Sequence, residues 1–301
     1  MKIVVLGATG MLGHKMFQKL NARFGDVTGF AYEDVRQPPF DKVDLLQGLE
    51  MVTGVNASDF QTLEKKLAAI RPDYIVNCIG IIKQRETASA YIPCIELNAL
   101  LPHKLAAFAQ EWGGRIIHFS TDCVFDGKGG GYAEGDFSDA EDLYGKSKLL
   151  GEVQCDNALT LRTSIIGREL TSHKSLLDWV LSQNGKTVKG FKNVIYSGVT
   201  TNQIAEVVAM IISKFPELSG LYQVVADPIS KYDLLCLIRD AFKLDMEVLP
   251  ETETVSDRSM KGNKLKVATG YVSPPWPELI ANLATDPTPY AEWGVKLGTR
   301  G

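Results

Sequence analysis

Four histidines and five cysteines in 301 residues leave little material for metal or disulfide chemistry. The histidines form no HExxH pattern and no close acidic cluster, so no metal site is expected. The cysteines, Cys78, Cys94, Cys123, Cys155 and Cys236, are odd in number and include no CxxC pair. A disulfide framework and a structural zinc site are therefore disfavoured. Apolar runs such as Val207 to Ile212 fall far short of the roughly 18 residues a membrane span needs. The opening MKIVVLGATG is broken by glycine too early for a signal peptide. No block of five or six basic residues occurs and the net charge is −4, which gives no electrostatic basis for binding nucleic acid. What is present is an ordinary globular balance, 45% hydrophobic and 23% charged, with free thiols, and a cytoplasmic protein is the expectation. The length suits one large α/β domain or one domain with a smaller appendage.

The chain alternates strand and helix from its start to about residue 165. KIVVL, DVTGFAY, DYIVNCIG, GRIIHFS and NALTLRTS read as buried strands. Between them, MLGHKMFQKLNARFG has apolar residues at helical spacing and a glycine stop. SDFQTLEKKLAAIRP opens on a Ser58 or Asp59 cap and ends before Pro72. ELNALLPHKLAAFAQEWG is helical with Pro102 as a candidate kink, and YGKSKLLGEVQ is a further helix. This order predicts βαβ units and a Rossmann-like, doubly wound parallel sheet. After residue 165 the alternation loosens. NQIAEVVAMIISKF and SKYDLLCLIRDAF read as helices and GLYQVVA as a strand. Residues 1–165 are thus expected to form the main domain, and residues 166–301 a smaller lobe with some elements returning to it.

Gly7, Gly10 and Gly13 lie between the first strand and the first helix, spaced GxxGxxG. There Gly7 permits a tight turn, Gly10 close approach of a pyrophosphate, and Gly13 close packing of helix on strand. The helix N-terminus adds N–H groups and positive dipole. The position predicts NAD or NADP. Glu33 and Asp34 at the end of the second strand favour a ribose hydroxyl, whereas nearby Arg36 suits a 2′-phosphate, so both cofactors stay open. Farther on, Tyr144 and Lys148 stand four apart in DLYGKSKLLGE, which puts them on one helix face. An ammonium there would favour the phenolate. The spacing alone also fits an ordinary exposed helix.

GATGMLG at 7–13, STDCVFDG at 120–127 and YGKSK at 144–148 stand in the order of the extended short-chain dehydrogenase/reductases. The chain resembles the dTDP-4-dehydrorhamnose reductase branch nearly end to end, through RPDYIVNCIG, ELNALLPHKLA, LRTSIIG and the segments beginning GLYQVVADP and DRSMKGNK. The resemblance implies a catalytic triad of Thr121, Tyr144 and Lys148. It places Gly7, Thr9, Gly10, Met11, Leu12 and Gly13 at the cofactor, with Asn56 near the adenine and Cys78, Ile79 and Gly80 over the nicotinamide end. Tyr144 and Lys148 would touch the cofactor too. It makes residues 166–301 mainly a substrate-binding lobe, puts Asp122, Cys123 and Ile165 on the substrate side, and offers Arg258 to the diphosphate. Cys123 stands where dehydratase relatives carry a glutamate and this branch an aromatic, and Ile165 stands where the branch carries a tryptophan. A 4,6-dehydratase is thereby disfavoured.

The Gly-rich loop from Phe125 to Asp136 is either simply flexible or a mobile substrate opening, and Lys83 and Arg85 are either solvated or near the diphosphate. The implied activity is NAD(P)H-dependent reduction of a nucleotide-activated keto-deoxysugar in surface-polysaccharide synthesis, with a nucleotide-sugar substrate and a homodimer admitted. Two alternatives remain: a nucleotide-sugar epimerase holding NAD tightly, and a non-enzymatic regulatory subunit similar to that of methionine adenosyltransferase.

Overall fold

The computed structural model describes residues 1–81, 90–171 and 174–293. In chain order the strands among them are β1 (Ile3–Leu6), β2 (Val27–Phe30), β3 (Met51–Val52), β4 (Tyr74–Asn77), β5 (Arg115–Ser120), β6 (Ala158–Arg162), β7 (Ile165–Ile166), β8 (Thr187–Tyr196), β9 (Val199–Thr200), β10 (Gly220–Gln223), β11 (Ile229–Ser230) and β12 (Glu247–Asp257). Seven of them form one sheet in the order β10-β6-β5-β4-β1-β2-β3. Every neighbouring pair in it is parallel. The expected doubly wound Rossmann-like sheet is therefore present.

Its two faces are built by simple alternation. Ile3 and Val5 point into one apolar cluster, with Met16 and Phe17 of the Met11–Phe24 helix and Ile204 and Val208 of the Thr201–Lys214 helix. Val4 and Leu6 point into the other, with Leu63 and Leu67 of the Phe60–Ile70 helix and Leu105 of the Leu101–Gln110 helix. Adjacent residues of a strand face opposite sides, so a wholly apolar β1 serves both layers. The chain leaves β1 toward β2 on one side and β4 toward β5 on the other. Strand order thus reverses between β1 and β4, and a crevice opens beyond their C-terminal ends, where open α/β sheets bind ligands.

Pro102 sits in the first turn of the Leu101–Gln110 helix. The turns before it, Ile95–Leu100, are wound as a π-helix that runs directly into Leu101–Gln110. Proline lacks the N–H that would bond one turn back, and widening the preceding turns accommodates the loss.

Past residue 165 the elements divide. β10 and the Thr201–Lys214 helix complete the main sheet and one of its layers. β8 pairs with β11 antiparallel and with β12 parallel, making a separate three-stranded sheet, and β7 pairs with β9. β8 and β12 escape recognition in the sequence because much of each is exposed and polar, and β12 carries Pro250 and a register shift between Glu251 and Val255. After the Trp276–Ala284 helix, residues 286–290 return to the first helix. Lys15 Nζ there meets Asp286 at 3.0 Å and Thr288 Oγ1 at 2.7 Å, and the His14 ring meets the Tyr290 hydroxyl at 2.9 Å. Among the described residues no helix is long and apolar enough to cross a membrane.

Candidate active site

At the end of β1 the chain turns at Gly7 with φ +76°, a conformation that favours glycine. The Gly10 N–H donates to the Gly7 carbonyl at 3.0 Å, and the first helix begins at Met11. A Cβ on Gly13 would stand 1.9 Å from the Gly7 oxygen, so any side chain there would push the helix off the turn. A Cβ on Gly7 would meet Ile79 Cγ1 at 3.2 Å and the Cys78 carbonyl carbon at 3.3 Å, because the ends of β1 and β4 lie edge to edge. No side chain caps the helix at Gly10, which leaves its first turn open to an anionic group. A crevice this close, walled by backbone and headed by a helix N-terminus, fits the pyrophosphate of a dinucleotide.

The rim holds the residues that bear on cofactor choice. The Thr9 hydroxyl donates to Glu33 Oε2 at 3.0 Å. Arg36 donates to both carboxylate oxygens of Asp34, at 2.9 and 3.2 Å, in a solvent-exposed pair. Asn56 is exposed and its side-chain oxygen accepts the Ser58 N–H at 3.1 Å.

Tyr144 and Lys148 are both carried by the Leu143–Leu150 helix. Eight residues do not make a stable helix alone. Its start is fixed by Asp142, which accepts the Gly145 N–H at 2.7 Å. Gly145 presses against the turn after β5, where a Cβ would stand 2.2 Å from the Cys123 carbonyl oxygen. That contact sets Tyr144 beside Thr121, within hydrogen-bonding reach of its hydroxyl. Thr121 also accepts the Cys123 N–H at 3.1 Å and donates to Asp122 Oδ1 at 3.0 Å, so its hydroxyl serves local structure as well. Lys148 lies in the groove between the ends of β4 and β5. Its ammonium donates to the Phe119 carbonyl at 2.5 Å and lies 3.4 Å from His118 Nε2, near Cys78.

The ionisation states differ from those the i, i+4 spacing suggests. Burial, followed by the nearby Cys123, pushes the Tyr144 phenol above its ordinary value, and no lowering by Lys148 is found. The lysine charge is drawn to the Phe119 carbonyl. Lys148 itself is lowered by burial to about 8, against the pull of Glu152 and Cys78. Burial also keeps His118 neutral, its pKa held well below the usual range, and pushes the Cys78 thiol up. The resting site therefore holds a protonated tyrosine beside an ammonium that is lost only above about pH 8.

Asn98 escaped the sequence reading. From the π-helical turns it accepts the Ile81 N–H at 2.8 Å and donates to Ser147 Oγ at 3.1 Å, tying the loop after β4 to the Tyr144 helix. An asparagine inside an apolar helix was the available signal, since such residues are poor helix formers.

On the other side of Thr121, Asp122 is buried and its carboxyl is raised by that burial. Cys123 is half-buried beside Tyr144. Ile165 lies in β7 and packs on the main apolar core. Arg258 is committed to the Gly-rich loop, donating to the Phe125 and Asp126 carbonyls at 2.9 and 3.2 Å. The loop is correspondingly tied down. Tyr132 stacks on Phe125 at 4.1 Å between ring centres, its N–H donates to the Ser259 carbonyl, and its carbonyl accepts the Lys261 N–H. Tyr196 and Lys231, also missed from the sequence, complete this side. Lys83 and Arg85 lie outside the described residues.

Comparison with known proteins identifies the family and supports the fold. The family described as RmlD substrate binding domain matches residues 1–286. The chain is 30% identical over 272 residues to methionine adenosyltransferase 2 subunit beta of Danio rerio, covering 84% of this chain and 77% of that protein. A dTDP-4-dehydrorhamnose reductase of Clostridium acetobutylicum has the same fold, with a TM-score of 0.77 at 21% identity over 94% of this chain and 98% of that one. So does a dTDP-4-dehydrorhamnose reductase of Bacillus anthracis in complex with NADP, with a TM-score of 0.76 at 20% identity over 94% and 99% of the two chains.

Proposed function

The chain belongs to the RmlD substrate binding domain family, and from that premise we propose that it is an NAD(P)H-dependent reductase of a nucleotide-activated keto-deoxysugar. The substrate is of the dTDP-4-dehydrorhamnose kind, and its product serves surface-polysaccharide synthesis. The observation that carries the proposal is the convergence of Thr121, Tyr144 and Lys148 beside the glycine cradle at the sheet's reversal point.

Gly7, Gly10 and Gly13 would hold the pyrophosphate, with Thr9, Met11 and Leu12 lining the same turn. Asn56 would stand at the adenine. Cys78, Ile79 and Gly80 would border the nicotinamide end, where the Lys148 ammonium would bind the ribose hydroxyls. A bound NAD(P)H supplies the hydride for the keto carbon. The keto oxygen gains a proton from Tyr144, whose phenol is kept protonated by burial. Thr121 orients that oxygen by turning its hydroxyl from Asp122. General acid help of this kind typically gives about 10² to 10⁴ in rate. Asp122, Cys123 and Ile165 would shape the sugar side.

The test is oxidation of NADH and NADPH against a panel of 4-keto nucleotide sugars, with one cofactor consumed per sugar reduced. Tightly bound NAD that is never consumed would instead indicate an epimerase. The likeness to methionine adenosyltransferase 2 subunit beta supports a second reading, a non-enzymatic subunit. Co-purification with a synthetase, without turnover on any keto sugar, would establish that reading in place of the first.

A further inference from the structure

The substrate side of the reaction centre contains a lysine whose charge no protein group answers directly. Lys231 opens the Lys231–Ala241 helix immediately after β11, whose Ser230 caps that helix by accepting the Asp233 N–H at 2.9 Å. β11 pairs with the end of β8, so the Lys231 backbone is fixed beside Tyr196. The ammonium stands 4.0 Å from the centre of the Tyr196 ring, which is buried and rests against Trp276. It makes no hydrogen bond and no ion pair among the described residues. The ionisable groups that act on it are Asp122 and Cys123, the two residues after Thr121.

Neighbouring cations are committed elsewhere. Lys148 donates to the Phe119 carbonyl at 2.5 Å, Arg162 to Glu152 at 2.7 Å, and Arg258 to the two loop carbonyls. Asp122 does not bond Lys231 directly. Its carboxyl accepts the Thr121 hydroxyl at 3.0 Å, and it forms no hydrogen bond or ion pair with Lys231 among the described residues. A partly buried ammonium with an aromatic face on one side and no carboxylate in hydrogen-bonding contact is poised for an anionic ligand.

We infer that Lys231 is a substrate-binding residue whose ammonium receives an anionic oxygen of the nucleotide sugar. This inference rests on the reductase reading for its ligand class. It moves the role expected of Arg258 to a residue that the sequence did not single out. The anionic oxygen has two sources, the diphosphate bridge or a carboxylate on the sugar ring.

Lys231→Met and Lys231→Arg are compared with the wild type by titrating dTDP, UDP, a nucleotide 4-keto-6-deoxysugar and a nucleotide hexuronate, each with NADPH bound. If the diphosphate is the source, Lys231→Met weakens all four by about 10- to 100-fold, the range of a hydrogen bond to a charged group. If a carboxylate is the source, only the hexuronate weakens. In either case Lys231→Arg restores most of the affinity and NADPH binding is unchanged. Unaltered affinity for every ligand in Lys231→Met, or an equal loss of NADPH affinity, overturns the inference. Ligand binding that depends on Lys231 in a protein that reduces no keto sugar would remove the reductase reading and leave the lysine's role standing. A wild type that binds none of the four would remove both.

Discussion

The crevice between β1 and β4 and the outer part of the chain, with the β11-β8-β12 sheet and the 286–290 strap, are held together differently. In the crevice, several of the contacts that shape each turn join residues close in sequence. Gly7 bonds Gly10, Asp142 caps at Gly145, and Thr121 bonds Asp122 and Cys123. In the outer part, partners are far apart in the chain. β8 pairs with β12 some sixty residues on, and Lys15 meets Asp286 across 271 residues. The first kind of contact leaves a spacing that can be read. The second leaves none, because each segment is stabilised by a partner that its own sequence does not specify.

Tyr144→Phe should divide the two regions most sharply. It removes one hydroxyl at the centre, so turnover should fall by about 10² to 10⁴ while the unfolding transition and NADPH affinity stay near wild type. Full activity in this variant would remove the assignment. Asp286→Ala tests the opposite region. It strands the Lys15 ammonium, which is 1% exposed, without its counter-ion. Breaking a buried pair of this sort typically costs about 3–5 kcal/mol. The loss should appear in chemical or thermal unfolding, with kcat preserved under conditions where the protein stays folded.

Gly145→Ala should be milder in stability and specific to the reaction. The added methyl would meet the Cys123 carbonyl oxygen and move the Tyr144 helix by a fraction of an ångström or more. Displacement of about 1 Å can cost ~10²-fold in rate, and a kcat within threefold of wild type would show that the contact does not position the tyrosine. The smallest effect is the pH profile. Lys148 is lowered to about 8, so its ammonium is lost as pH rises through that value and kcat should decline above it. Burial raises the tyrosine, so its own ionisation lies higher and does not set this limb. In Lys148→Arg the guanidinium stays charged and the limb near 8 should vanish. A limb that persists unchanged there belongs to another group.

The sequence reading was most informative where chemistry follows local spacing. The glycine turn, the Thr121 turn and the Tyr144–Lys148 helix could be found because each is a short pattern placed at the end of a strand. Ionisation was not legible. The spacing suggested that Lys148 would lower Tyr144, but burial and the competing Phe119 carbonyl decide otherwise, and neither is visible before β4 and β5 are side by side. The engagement of the Arg258 guanidinium by a loop more than a hundred residues earlier was hidden for a similar reason. Asn98, Tyr196 and Lys231 were missed because their importance lies wholly in what faces them.

By itself the sequence determined the parallel sheet, its glycine cradle and the tyrosine helix, since alternating apolar periods and short glycine or capping patterns act within a few residues. Only the tertiary structure decided which lysine lies in the β4–β5 groove and which stands over the Tyr196 ring. That choice depends on carbonyls, rings and carboxylates brought together from distant segments, and their desolvation sets the charge of every group at the centre.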